Sequence, residues 1–201
     1  MPSDAVLGIL VGGRARRMGG ATKGLLSTAG GRTIVEHAAS EFRAACPNSS
    51  VWLLGRAQAY SHLGLAALAD DPPRVGPIGG LRSLLLQAAP LGVPAVLIGC
   101  DMPYLSSAVF HELLTAAPLA TCVAPRADGL WQPLFSRYAP AQTLKTLDAC
   151  LAAGSYSFQH LLDALGATPL ALSAEHQEQL RDWDRPEDLP PDGSNNPDPC
   201  P

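Results

Sequence analysis

Lysine is nearly absent: only Lys23 and Lys145 occur in 201 residues, and the formal net charge is −4. Positive charge is therefore local rather than spread over a face, which argues against general nucleic-acid binding. No apolar run reaches the length of a membrane span. The N-terminus lacks a charged region followed by a long apolar stretch and a cleavage site, so no signal peptide is read and a cytoplasmic location is expected. The five cysteines, Cys46, Cys100, Cys122, Cys150 and Cys200, form no CxxC pair. That spacing suggests neither a zinc site nor a disulfide framework, and reduced thiols are expected. Three signatures are missing as well. Gly12-Gly13-Arg14 breaks the GxGxxG spacing of dinucleotide-binding folds, and no Gly-Lys dipeptide exists to make a Walker A loop. No Gly-x-Ser-x-Gly elbow marks a hydrolase.

What is present is concentrated near the start. Arg14, Arg16, Arg17 and Lys23 are four of the chain's 14 basic residues, and they lie in ten consecutive positions. They follow the apolar run Ala5 to Val11 and the pair Gly12-Gly13. Glycines let backbone N–H groups approach phosphate oxygens, while Arg and Lys supply countercharge. A buried strand emptying into such a loop is suited to hold a polyphosphate.

Apolar runs alternate with helix-like stretches along the chain. Strands are expected at 5–11, 51–54, 65–69, 95–99, 120–124, 130–135 and 168–172. Helices are expected at 33–45, 78–88, 106–116, 141–153 and 158–165. Thr33 with Glu36 makes a capping box for the first helix. Strands that are apolar throughout and separated by helices indicate a three-layer, Rossmann-like α/β/α fold with a mostly parallel central sheet. One domain is expected over residues 1–189, large enough to bury a real core, and the polar, Pro-rich residues 190–201 read as a disordered tail.

Ligands in such sheets bind outside the carboxyl ends of the strands. That rule puts the loop after Val11 and the loop after Gly99 on one edge. Asp101, just past Gly99, fits two roles, a carboxylate holding Mg²⁺ together with substrate phosphates or a turn residue before Pro103. Asp71 fits an acceptor for guanine N–H groups or a solvated loop residue. Gly79 and Gly80, at a helix entry, fit either close approach to a base or ribose, or a tight turn. Asp182 and Asp184 share a face if extended. They read as a second metal carboxylate or, on spacing alone, as an acidic turn before a short helix started by Pro186. Trp131 fits either contact with a ligand ring or a core or rim aromatic. The five histidines have no shared spacing, and Cys100 reads as a small buried hydrophobe.

Together these elements resemble the molybdenum cofactor guanylyltransferases (MobA), whose signature runs approximately L-A-G-G-x-x-x-R-M-G-G-x-D-K-G-L. The corresponding run is Leu10-Val11-Gly12-Gly13-Arg14-Ala15-Arg16-Arg17-Met18-Gly19-Gly20, followed by Lys23-Gly24-Leu25. The match continues in Gly76-Pro77-Ile78-Gly79-Gly80-Leu81, Cys100-Asp101-Met102-Pro103, Gln132-Pro133-Leu134 and Pro186-Glu187-Asp188-Leu189. Three positions depart from it. Val11 replaces Ala, Thr22 replaces the Asp before the lysine, and Asp182-Trp183-Asp184 replaces Asn-x-Asn, an Asp-x-Asp form shared with the related cytidylyltransferases.

The resemblance implies a nucleotide-diphospho-sugar transferase type of fold. It also implies transfer of GMP from GTP to molybdopterin with release of pyrophosphate. Arg17 and Lys23 would cradle the triphosphate, and Asp101 would hold Mg²⁺, with Asp182 or Asp184 completing the metal site or orienting the acceptor. Leu10, Gly12, Gly13 and Asp71 would frame the guanine, with Gly79 and Gly80 near the ribose. Transient contacts with other proteins of molybdenum cofactor synthesis and with target apoenzymes are implied too. CTP as donor is the alternative that Asp-x-Asp keeps open, and a nucleotide-binding adaptor without catalysis is the one that Thr22 keeps open.

Overall fold

The computed structural model describes residues 4–11, 22–183 and 186–188. Among them a seven-stranded sheet forms the middle layer. In chain order the strands are β1 (Val6–Leu10), β2 (Ser50–Leu54), β3 (Ala66–Leu68), β4 (Ala95–Gly99), β5 (Cys122–Ala124), β6 (Arg126–Ala127), β7 (Leu130–Trp131), β8 (Phe135–Tyr138) and β9 (Thr168–Pro169). The helices are α1 (Ile34–Ala45), α2 (Pro77–Ala88), α3 (Ser107–Thr115), α4 (Pro140–Ala152), α5 (Phe158–Ala164) and α6 (Ala174–Glu178). The sheet order is β3-β2-β1-β4-β8-β5-β9, and β6 and β7 form a separate two-stranded hairpin. Within the seven-stranded sheet β8 alone runs against its neighbours β4 and β5, while the other pairings of that sheet are parallel.

β1 shows why the inner strands are apolar throughout. Leu7, Ile9 and Val11 face a core shared with α1 and α3, where Val35, Phe42 and Phe110 are fully buried. Val6 and Leu10 face the opposite core, filled by Ile78, Leu81, Leu84 and Leu85 of α2. Both faces are covered, so neither admits a polar residue. Gly8 lies on the second face by alternation, and glycine is required there because a Cβ would come within 2.6 Å of Leu84 and 2.7 Å of Leu54 side-chain atoms.

The first helix begins as its sequence dictates. Thr33 Oγ1 accepts the Glu36 N–H at 3.2 Å, and Glu36 Oε2 accepts the Thr33 N–H at 3.0 Å. The Thr33 hydroxyl, donating to Glu36 Oε2 at 2.7 Å, and then the Thr33 N–H hold the Glu36 carboxyl below its ordinary value. A lowered carboxyl pKa stabilises the fold at pH above the ordinary value of 4.5, and that contribution is lost as pH falls through the lowered value. Thr33→Ala removes the cap and is expected to cost about 1 kcal/mol in urea unfolding at neutral pH. The difference from the parent should shrink under acid.

Two expected elements differ. The run 130–135 is not one strand. It divides into β7 and β8, because Gln132 turns back to Pro125, its N–H donating to that carbonyl at 2.9 Å, and Pro133 follows without a donor. The run 168–172 pairs only at Thr168 and Pro169. The short helix α6 lies outside the expected helices and is capped by Ser173, whose hydroxyl accepts the His176 N–H at 3.1 Å. Among the described residues no helix is long and apolar enough to cross a membrane.

Candidate active site

The parallel register sets the site. Leu10 at the end of β1 pairs with Leu54 on one side and Gly99 on the other, so β1, β2 and β4 end level. Sheet order reverses at β1, since the chain passes to β2 and β3 on one side and to β4 on the other. A crevice opens outside such a reversal.

Lys23 begins a single turn of 3-10 helix, Lys23–Leu25, and its Nζ lies 3.3 Å from Asp101 Oδ2. Their side chains are 15% and 21% exposed, half-sheltered but reachable. Two glycines make this meeting possible. A Cβ at Gly24 would lie 2.7 Å from Val35 Cγ2 and 2.8 Å from Tyr60 Oη, so the lysine turn seats directly on buried side chains. A Cβ at Gly99 would lie 2.6 Å from Asp101 Oδ1, so only glycine lets that carboxylate fold back over the strand end. Gly99 was legible in the sequence merely as the last residue of a strand. Thr22, where the resembled signature has Asp, makes no side-chain cap; Asp101 orients the lysine instead, from across the crevice. Cys100, beside this pair, is partly buried, and desolvation pushes its thiol up to about 11. It is not a nucleophile at neutral pH.

Two adjacent aspartates, Asp70 and Asp71, follow β3, and Asp71 is the one expected to frame the guanine. Asp71 is exposed and ion-paired to Arg82 of α2, whose Nε also donates to Asp148 of α4 at 2.7 Å. It is thus held by the outer helices. Asp70 packs against the start of α2, with its Oδ1 3.3 Å from where a Gly80 Cβ would stand and Leu10 at 3.0 Å from the same point. Burial raises the Asp70 carboxyl, opposed by the charge of Arg56.

Gly79 and Gly80 are both buried, and the space left by their missing side chains is filled by this chain's own atoms. A Gly79 Cβ would lie 2.7 Å from the Pro72 carbonyl oxygen, and a Gly80 Cβ would lie against Leu10 and Leu54. That space serves the packing of α2 on the sheet. Trp131 is likewise a core residue. It is 7% exposed, donates from Nε1 to Asp163 at 2.7 Å, and is covered by Arg126 at 4.6 Å from its centroid.

Asp182 is described and exposed, and the N–H of the next residue, Trp183, donates to the Asp101 carbonyl at 2.8 Å. The acidic motif therefore reaches the Asp101 turn. Gly12, Gly13, Arg14, Arg16, Arg17 and Asp184 lie outside the described residues.

No group of three or more His, Cys, Asp or Glu side chains capable of holding a metal occurs among the described residues. Asp101 supplies a carboxylate beside a cation at a strand-end crevice, which fits a magnesium ion shared with substrate phosphates rather than caged by protein. A mostly parallel sheet, a carboxylate–lysine pair at its strand ends and a glycine- and arginine-rich segment between β1 and that lysine define the nucleotide-handling class of α/β enzymes, the nucleotidyltransferases.

Comparison with known proteins narrows the class. Residues 7–181 match the family described as MobA-like NTP transferase domain. The chain belongs to that family. It is 35% identical over 192 residues to the molybdenum cofactor guanylyltransferase of Pseudomonas entomophila, covering 93% of this chain and 96% of that one. The Pseudomonas putida protein of the same name is 32% identical over 196 residues, covering 94% and 97%. Among solved structures, molybdopterin-guanine dinucleotide biosynthesis protein A from Archaeoglobus fulgidus superposes with a TM-score of 0.71 at 20% identity, over 91% and 94% of the two chains. The 2-C-methyl-D-erythritol 4-phosphate cytidylyltransferase of Thermus thermophilus gives 0.62 at 17% identity, over 90% and 93%, and shares the fold.

Proposed function

We propose that this protein transfers GMP from GTP to the terminal phosphate of molybdopterin, releasing pyrophosphate. The observation that carries the reading is the Lys23–Asp101 pair at the shared rim of β1 and β4, in a chain whose relatives bear the name molybdenum cofactor guanylyltransferase over nearly their whole length.

The chemistry asks little of a base. A phosphate monoester is already anionic at neutral pH, so its oxygen attacks the α-phosphorus without prior deprotonation. The bond from that phosphorus to the β-phosphate oxygen breaks, and the electron pair leaves with pyrophosphate. The obstacle is bringing anions together, so positioning and charge neutralisation supply the rate. Lys23 offsets charge building on the leaving group. Its pairing with Asp101 keeps the ammonium at the crevice until substrate phosphates compete for it. Arg17, from the glycine-rich segment, is the further countercharge that the family signature implies. Magnesium held by Asp101 would add positive charge at the phosphate oxygens.

Guanine is the donor base that Asp70 favours. An ionised carboxylate only accepts, and guanine offers N1–H and the 2-amino group on one edge. Cytosine presents N3 and O2 acceptors beside its single amino group, which leaves one carboxylate oxygen facing a lone pair. Asp70→Asn keeps the shape and loses a charged acceptor. It is expected to lower kcat/KM for GTP roughly 10–100-fold, the worth of a hydrogen bond to a charged group, with no gain for CTP. Equal losses with both nucleotides would detach Asp70 from base choice.

Incubation with each nucleoside triphosphate, Mg²⁺ and molybdopterin, followed by mass analysis, tests the reading. A GMP adduct with pyrophosphate is expected. A CMP adduct would overturn the donor, and bound GTP without product would favour the adaptor.

A further inference from the structure

Trp183 stands between Asp182 and Asp184, the two residues that drew attention in the sequence, yet its own contacts tie the site together. Its backbone N–H donates to the Asp101 carbonyl at 2.8 Å. Its indole Nε1 donates to Tyr104 Oη at 3.0 Å, and the two rings meet edge to face at 6.0 Å between centroids. The residue is 3% exposed and forms, with Leu26 and Ile34, a small apolar cluster separate from the two main cores. Leu26 ends the lysine turn, its N–H bonded to the Lys23 carbonyl at 3.0 Å, and Ile34 donates to the Leu26 carbonyl at 3.0 Å. One residue therefore joins the two turns: its backbone N–H holds the Asp101 carbonyl, and its side chain packs on Leu26 beyond Lys23 and on Tyr104 three residues past Asp101.

The tract before Trp183 is anchored without it. His176 Nδ1 lies 2.6 Å from Glu112 Oε2, and Gln177 Nε2 donates to Gln132 Oε1 at 3.1 Å. Gln179 Oε1 accepts from the Ser106 hydroxyl at 2.7 Å and from its N–H at 3.2 Å. Docking of the tract to α3 and to the Gln132 loop is complete upstream, so the indole does something else: it links the lysine turn to the aspartate turn. We propose that Trp183 is a positioning residue that fixes the separation of Lys23 and Asp101. This deepens the reading above and rests on it, since it gives the two charges one geometry before substrate arrives. Groups that act only by placement lose rate steeply when displaced by an ångström, whereas ground-state binding, spread over many contacts, changes less.

The test is a double-mutant cycle between Trp183→Leu and Lys23→Ala, with steady-state kinetics and thermal melts on each protein. Trp183→Leu alone is expected to lower kcat about 10–30-fold with KM for GTP within about threefold. Trp183→Phe fills the cluster but lacks the indole donor, and should lose about threefold. In the Lys23→Ala background, Trp183→Leu should cost less than about threefold more, because the group it places is gone. Leu180→Ala is the packing control. Leu180 is 8% exposed in the same tract but packs into the α1 and α3 core, so its loss should lower the melting temperature and leave kcat unchanged. Full multiplication of the Trp183 and Lys23 losses, or an equal kcat loss in Leu180→Ala, would overturn the positioning role and leave the pair's role intact. Normal turnover in Lys23→Ala would instead overturn the reading of the pair, and the positioning role with it.

Discussion

Asp101→Ala is expected to lower turnover roughly 10²–10³-fold, the usual cost of deleting one preorganised electrostatic group from a transition state, while the protein stays folded. The fold should tolerate it for a local reason. Asp101 lies past the end of β4, its carboxylate is partly exposed, and its backbone carbonyl, which holds the Trp183 N–H, is retained in the variant. Circular dichroism and a thermal melt check the fold, and pyrophosphate release with GTP and molybdopterin checks the rate. The sharper expectation is where the loss falls. If Asp101 supports charge that grows in the transition state, kcat drops and KM for GTP moves little. A raised KM with unchanged kcat would make Asp101 a ground-state contact only. Near-normal values of both would remove it from the site.

Lys23→Ala is expected to cost about the same, roughly 10²–10³-fold in kcat/KM, and Lys23→Arg should not restore it fully. An ammonium is a compact point charge, whereas a guanidinium is a planar fork that needs more room and a different approach. Lys23 is sheltered between the Asp101 carboxylate and the turn seated on Val35 and Tyr60, so a longer, flatter head group cannot occupy the same point. Lys145, the only other lysine, is on the remote helix α4, and Lys145→Ala serves as the control with unchanged kinetics. Added salt should weaken GTP binding in the parent more than in Lys23→Ala, because a phosphate–ammonium attraction is screened and its absence is not.

Which parts of this protein were legible in the chain depends on how local the cause was. The capping box at Thr33 and Glu36 involves two residues three apart, and it stands as read. The inner strands were legible because burial on both faces leaves a continuous apolar run. Sequence and structure differ where a run is apolar for another reason. The run 130–135 packs against α5 at Trp131 and joins the sheet only from Phe135, so its hydrophobicity belongs to two elements with a turn between them. Asp70 and Asp71 are adjacent and chemically identical. Nothing in the sequence says which of them Arg82 captures, since that depends on α2 and α4 packing side by side and on Asp148 holding the guanidinium from the far side.

The chain by itself determined the alternation of apolar strands and helices, the cationic glycine-rich segment after the first strand, and the presence of a carboxylate just past the fourth. Those follow from periodicity and from chemistry confined to a few neighbouring residues. Tertiary structure alone decided that Lys23 meets Asp101 across 78 positions, that Arg82 captures Asp71 rather than Asp70, and that Trp183 reaches back to both turns. Each is a contact between segments remote in sequence. Such contacts exist only once strand order and register bring the ends of β1, β3 and β4 to one edge.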